Sequence, residues 1–225
     1  MTPTQDTMRR VFALLVALLM ALYVSALLLI ARAPFESTMG LVQKIFYFHF
    51  PPAVLMLLSA IFCGVVSAAF LITKRPSLDR IALAAAELTV LYGAIALVTG
   101  PLWARKAWGV WWQWDARLTM SLLMWMIFVS YLLLRKYGGS GSETLSAGLA
   151  VFGMANAPFV YISVNVWRTV HPKTSVVPTL PVDFAMPLWV SFAGFLLLYI
   201  VLLTTRVRLA EQQAMLDQLY LDSDY

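Results

Sequence analysis

Six apolar stretches of about twenty residues constrain the fold of this chain more than any other feature, because a bilayer-crossing helix needs roughly that length. Hydrophobic residues make up 61% of its 225 residues and charged ones only 12%, which leaves too little polar surface for a soluble globule. We therefore expect an all-α polytopic protein in a lipid bilayer. Its six transmembrane helices are predicted at about 11–31, 53–73, 81–103, 118–134, 146–166 and 188–205.

The connections between these stretches are short, so we interpret residues 1–225 as a single integral membrane domain without internal repeats. The first stretch ends in the small-x-small pattern of a signal-peptide cleavage site at 31–33. Its apolar run is longer than the roughly 7–15 residues of a signal peptide, and Arg32 would lie inside the site. We expect it to remain as the first helix, and the polar segment from Arg206 to continue the last one into water.

With six spans, the loops after the first, third and fifth helices must lie on the same side of the membrane, which we call the site face. These loops contain His49, the tryptophan-rich run 103–115 and His171. Of the 16 Lys and Arg residues, nine lie on the opposite side with both termini and seven on the site face. The positive-inside rule then predicts that both termini are cytoplasmic.

The run from Trp103 to Asp115 reads WARKAWGVWWQWD and contains five of the eight tryptophans. Tryptophan is common at bilayer interfaces, but an aromatic belt spreads over several helix ends, whereas this cluster occupies one loop, at about 104–117. Indole faces suit a large flat apolar ring, and indole N–H groups with Arg117 could bind acidic groups at its rim. A porphyrin with two propionates fits this description. Asp115 either caps the next helix or orients a neighbouring group.

His49, in FYFHFPP, and His171, before Pro172, are the two histidines of the chain. Each could simply be a solvated loop side chain. Because both lie on the site face, they could also approach a haem iron from its two sides as neutral axial ligands. A single cysteine, Cys63, excludes an internal disulfide and argues against a zinc or iron–sulfur site.

The segment WGVWWQWD resembles the WGxWWxWD signature of the haem-handling proteins of cytochrome c biogenesis. Six spans in a short chain, with a histidine before the second helix and another after the fifth, are similar to the haem exporter protein C (CcmC) family of the cytochrome c maturation system. The resemblance implies a bacterial inner-membrane protein that holds haem b at the periplasmic face and delivers it to the haem chaperone CcmE. It also implies the ABC transporter subunits CcmA and CcmB and the small membrane protein CcmD as partners.

The same resemblance implies roles for individual residues. His49 and His171 would be the axial ligands of the haem iron. The haem-contacting loop, which would also be the platform for the chaperone, would consist of Trp108, Gly109, Trp111, Trp112, Trp114 and Asp115, followed by Arg117.

No nucleophile with an adjacent base occurs on the site face, so we expect a transfer protein and not an enzyme. No motif indicates a nucleotide or nucleic-acid partner. Two other functions remain open: a small-molecule permease, and a structural or docking subunit that carries no chromophore. Glu87 in the third stretch is also open: it could lie near the interface, solvated or hydrogen-bonded to a neighbour, or it could serve a relay or a partner contact.

Overall fold

The computed structural model describes residues 3–223 and confirms the all-α membrane fold. Six helices are long and apolar enough to cross a bilayer, and the described residues contain no β-strand. The helices are α1 (Pro3–Arg32), α2 (Phe46–Thr73), α3 (Pro76–Trp108), α4 (Ala116–Tyr137), α5 (Ser142–Val166) and α6 (Val182–Ser223). The last helix continues well past Arg206, as the polar end of the sequence predicts.

The start of α2 differs from the prediction. We expected His49 in a loop and a helix beginning at the following prolines, but α2 begins at Phe46, so His49 lies within the helix. Pro51 has no N–H with which to bond the carbonyl of Tyr47, the position at which a proline normally interrupts a helix. The hydroxyl of Ser191 on α6 donates to that carbonyl instead, at 2.6 Å. The helix can therefore pass through the proline with its backbone acceptor satisfied.

The tryptophan-rich loop is also shorter than the predicted 104–117. Helix α3 continues to Trp108 and ends at Gly109, whose φ of 78° lies in the left-handed region that glycine adopts readily. Helix α4 begins directly after its N-cap, Asp115. Residues 109–115, called the Trp loop below, therefore form the whole connection, and Arg117 lies on the first turn of α4.

Helix α2 is the centre of the bundle, because it packs against α3, α5 and α6, whereas α1 packs mainly against α6. Small residues allow this close approach. A Cβ atom on Gly64 of α2 would lie 2.3 Å from the Cβ of Met154 on α5. Cys63 is fully buried and its Sγ donates to the carbonyl of Ala82 at 3.2 Å, as expected for a small core residue. This packing places the start of α2, the end of α3 and the loop after α5 at the same end of the bundle.

Two ion pairs stabilise the opposite end. Asp79 on α3 accepts two hydrogen bonds from Arg135 on α4, at 2.9 and 2.7 Å. Glu87, about two turns further along α3, accepts two hydrogen bonds from Arg206 on α6, at 2.6 and 2.8 Å. The structure therefore favours one of the alternatives left open for Glu87, a hydrogen-bonded neighbour, which is Arg206 on α6.

Candidate functional site

A cavity opens at the site face between α2, α3, α4, α5 and the loop that follows α5. Its empty space, including the open mouth, amounts to about 680 Å³. Five of the residues singled out from the sequence line it: His49, His171, Trp108, Trp112 and Arg117. The argument from six spans, which placed these residues on the same side of the membrane, therefore brought them together correctly.

The walls of the cavity are mainly apolar. Helix α2 contributes Ala53, Met56 and Leu57, and α3 contributes residues at four-residue intervals on one of its faces: Ala96, Gly100, Ala104 and Trp108. A Cβ atom at Gly100 would lie 3.1 Å from Cε1 of His49, so the glycine leaves room for the imidazole. Such walls suit a ligand with a large apolar surface.

Hydrogen bonding fixes the tautomer of His49. Its Nδ1 lies 3.0 Å from Oγ1 of Thr99, and the Thr99 hydroxyl donates its own proton to the carbonyl of Ile95 at 2.7 Å. Because that proton is already used, the threonine oxygen accepts from an Nδ1–H of the histidine. The lone pair is then on Nε2, which has no hydrogen-bond partner in the described part of the chain.

His171 reaches the same tautomer by a different route. Its Nδ1 lies 3.0 Å from the carbonyl oxygen of Pro172, which can only accept, so the proton is on Nδ1 and the lone pair on Nε2. Burial, and then the charge of Arg117, lowers the pKa of His171 to about 4. The imidazole is therefore neutral at physiological pH, the form in which histidine binds a metal.

Asp115 joins the Trp loop to the segment that carries His171. Its Oδ1 accepts from the backbone N–H of Leu118 at 2.9 Å and caps α4. Its Oδ2 accepts from the hydroxyl of Thr169 and from the N–H of Val170, the latter at 3.1 Å. The same Thr169 oxygen accepts from the backbone N–H of His171 at 3.1 Å. Asp115 thus has both roles left open by the sequence, cap and orienting group, and it does not line the cavity itself.

The tryptophans of the Trp loop point in two directions. Trp112 lines the cavity, whereas Trp111 and Trp114 are 56% and 74% exposed and lie outside its lining. The Nε1 of Trp112 is buried and has no hydrogen-bond partner among the residues that the structure describes. A buried N–H without an acceptor is costly, so this group is available to an acceptor atom in the cavity.

Arg117 brings a positive charge to the cavity wall. Its guanidinium donates to the carbonyl of Val160 on α5 at 2.5 Å. In the part of the chain that the structure describes, no carboxylate forms an ion pair with it. A cation in a largely apolar cavity is complemented by an anionic group on the ligand.

Sequence reasoning gave no site role to two residues beside His49: Thr99, and Trp103 at the start of the tryptophan-rich run. The ring of Trp103 lies 6.1 Å from that of His49 and 6.0 Å from that of Trp108, measured between centroids. Both residues lie on α3, four positions apart, so they share a helix face. Both positions lie within the predicted third helix, 81–103, but nothing in the sequence showed that this face of the helix meets His49.

The residues of the cavity fit a haem. Two neutral imidazoles with unprotonated Nε2 atoms suit an iron, and the apolar walls with their indole rings suit a porphyrin. The guanidinium of Arg117 and the indole N–H of Trp112 are donors that suit carboxylates at the porphyrin rim.

Comparison with known proteins gives one consistent result. The family model described as Heme exporter protein C matches residues 2–219. The Heme exporter protein C of Bradyrhizobium diazoefficiens is 33% identical over 84% of this chain and 73% of its own length. That of Escherichia coli K12 is 33% identical over 78% of this chain and 73% of its own. A mitochondrial protein of Marchantia polymorpha, described as ccmC-like and of cytochrome c biosynthesis, is 32% identical over 80% of this chain and 76% of its own.

Proposed function

Because the chain belongs to the Heme exporter protein C family, with a role in haem handling for cytochrome c maturation, we propose that its cavity binds haem b and delivers it to the chaperone CcmE. The observation that carries this proposal is the arrangement of the two histidines. His49 and His171 line one cavity, and both hold their proton on Nδ1, which leaves each Nε2 available to a metal.

In the proposed complex the haem is the cargo, and its iron supplies two axial positions that imidazole nitrogen can occupy. His49 and His171 would hold the iron. Arg117 and the N–H of Trp112 would bind the propionates. Among the described residues, Arg117 has no carboxylate partner and the N–H of Trp112 has no acceptor. Trp108 and Trp103 would contact the porphyrin ring.

Delivery requires that a second protein reach the cargo from the aqueous side. Trp111 and Trp114 are exposed on the Trp loop, next to Trp112 on the cavity wall, and they offer aromatic anchors of the kind found at protein interfaces. We assign this surface to the chaperone, with the site face periplasmic and both termini cytoplasmic in the bacterial inner membrane. CcmA, CcmB and CcmD are the further partners that this proposal includes.

The exposed tryptophans also favour a second candidate function, a docking subunit of a membrane assembly that binds no haem. This alternative uses the Trp loop as a protein contact and gives the histidines no ligand role. It predicts a colourless protein, so absorbance separates the two functions.

The test is to purify the protein in detergent after expression with ample haem and CcmE, and to record oxidised and reduced visible spectra. We expect the low-spin spectrum of a bis-histidine haem, lost or altered in His49→Ala and His171→Ala. Tyr137→Ala is the control, because Tyr137 is 72% exposed at the opposite end of the bundle. A parent protein that never carries the chromophore would establish the docking function instead.

Delivery is tested separately, by covalent haem attachment to CcmE in cells. The double variant His49→Ala, His171→Ala should abolish attachment, whereas Tyr137→Ala should leave it unchanged. Attachment that persists in the double variant would exclude an axial-ligand role for these histidines.

A further inference from the structure

Thr99 is the one side chain that hydrogen-bonds the imidazole of His49 in the described part of the chain. It lies on α3, and its Oγ1 is 3.0 Å from Nδ1 of His49 on α2. Its hydroxyl proton is engaged by the carbonyl of Ile95, one turn earlier on the same helix. The oxygen is therefore held in place as an acceptor, and it receives the Nδ1–H of the histidine.

The imidazole of His49 lies against α3, where the backbone of Ala96 is a second hydrogen-bonding contact beside Thr99. The position of a Cβ on Gly100 is 3.1 Å from Cε1 of the imidazole, so the ring lies close against the α3 backbone. Trp103 lies one turn after Thr99, and its ring centroid is 6.1 Å from that of the imidazole. Removal of the threonine oxygen would take away the side-chain acceptor of the imidazole and weaken the hold on its orientation.

The two histidines differ in this respect. The acceptor for His171 is the backbone carbonyl of Pro172, which no side-chain substitution removes. The acceptor for His49 is a side chain and can be deleted with little change in shape, because valine has nearly the volume of threonine. Thr99 is thus the position at which the chemistry of one histidine can be changed without touching the histidine.

We propose that Thr99 is a positioning residue for the bound haem, which fixes the Nδ1–H tautomer of His49 and strengthens its Nε2 as an axial ligand. The inference rests on the proposed function, since it concerns how the same cavity holds its cargo. A hydrogen bond from the distal nitrogen of a metal-bound histidine orients the ring and makes the ligand nitrogen a better electron donor. Loss of such a partner commonly reduces metal affinity by roughly 10- to 100-fold.

The experiment compares Thr99→Val, Thr99→Ser and parent protein, each purified in detergent and titrated with haem. Thr99→Val should weaken haem binding by about 10- to 100-fold. It should also shift the midpoint potential to a more positive value, because a poorer donor stabilises ferric iron less than ferrous iron. Thr99→Ser keeps the hydroxyl and should restore both values toward those of the parent.

Thr204→Val is the matched control. Thr204 also donates to the carbonyl four residues earlier, that of Ile200 at 2.8 Å, but it lies on the exposed face of α6. It should change neither affinity nor potential. If Thr99→Val does not yield folded protein, Thr99→Ala replaces it and is expected to shift the potential in the same direction.

The outcomes separate this inference from the function on which it rests. A parent with a bis-histidine haem, whose affinity and potential are unchanged in Thr99→Val, would overturn the role of Thr99 and leave the haem site standing. A weaker affinity with an unchanged potential in Thr99→Val, or no recovery in Thr99→Ser, would indicate a packing effect only and would also overturn it. A parent without haem would instead contradict the proposed function itself.

Discussion

Asp115 offers the sharpest test of how the site is built, because its two carboxylate oxygens serve different elements. Oδ1 caps α4, and Oδ2 holds the segment before His171 through Thr169 and Val170. Asparagine caps helices about as well as aspartate. In Asp115→Asn the amide oxygen can therefore keep the cap, whereas the amide NH₂ faces the segment that aspartate held. The substitution separates the anchoring of His171 from the stability of α4.

The size of the effect follows from the bond that cannot be replaced. The hydroxyl of Thr169 can rotate and accept from the new NH₂ group, but the backbone N–H of Val170 has no acceptor once Oδ2 is gone. A hydrogen bond to a charged group contributes about 1.5 to 3 kcal/mol. Because about 1.4 kcal/mol corresponds to a tenfold change in Kd, we expect Asp115→Asn to weaken haem binding roughly 10- to 100-fold. Because the cap of α4 is kept, the protein without haem should be destabilised by no more than the loss of this one hydrogen bond.

The assay is haem titration of purified protein, followed by Soret absorbance, together with thermal unfolding in the same detergent. Asp183→Asn is the control, since Asp183 is an exposed aspartate on the same membrane face, in the first turn of α6. It should bind haem as the parent does. Parental affinity and an unaltered spectrum in Asp115→Asn would refute the argument that Asp115 positions His171.

Three further changes probe the bundle and the cavity. Asp79→Ala should lower the thermal midpoint, because Asp79 and Arg135 are only 12–15% exposed and breaking a buried pair costs about 3 to 5 kcal/mol. An unchanged midpoint would contradict this argument. Ser191→Ala should destabilise the protein by about 1 to 3 kcal/mol, because the carbonyl of Tyr47 loses its donor. Denaturant or thermal unfolding measures this change, and an unchanged midpoint would show that α2 tolerates its proline without that donor. Trp112→Phe keeps an aromatic ring and removes the N–H. Haem titration should therefore show binding weakened by about 1 kcal/mol, with the stability of the protein retained. Equal affinity would mean that this N–H does not contact the ligand.

The fold was predictable because apolar length alone determines what can cross a bilayer. Helix ends were less predictable, since charged residues such as Arg105 and Lys106 end an apolar stretch without ending a helix. Both residues favour helical conformation, and α3 continues through them to Trp108. The Trp loop was therefore predicted too long. Thr99 and Trp103 lay within the predicted third helix, but their contact with His49 on α2 could not be inferred from one sequence.

Other parts of the site depended on contacts that a single sequence does not encode. A proline two residues after His49 predicts a helix start, and only the hydroxyl of Ser191, far away in the chain, allows the helix to include it. A loop has no periodicity, so nothing in the sequence distinguishes the cavity-lining ring of Trp112 from the exposed ring of Trp114. The N-cap role of Asp115 was predictable from its position before an apolar stretch, but its bonds to the loop after α5 were not.

The two histidines are held in ways that suit different parts of a delivery cycle. His49 belongs to a membrane-spanning helix at the centre of the bundle, and displacing it would disturb the packing of α2 against α3. His171 lies in a connection outside the helices, which Asp115 ties to the Trp loop through Thr169. Segments with few buried contacts open at lower free energy than core helices. Under the proposed function, release of the haem would begin at His171. A partner docked on the exposed tryptophans would then act on the loop that anchors this histidine.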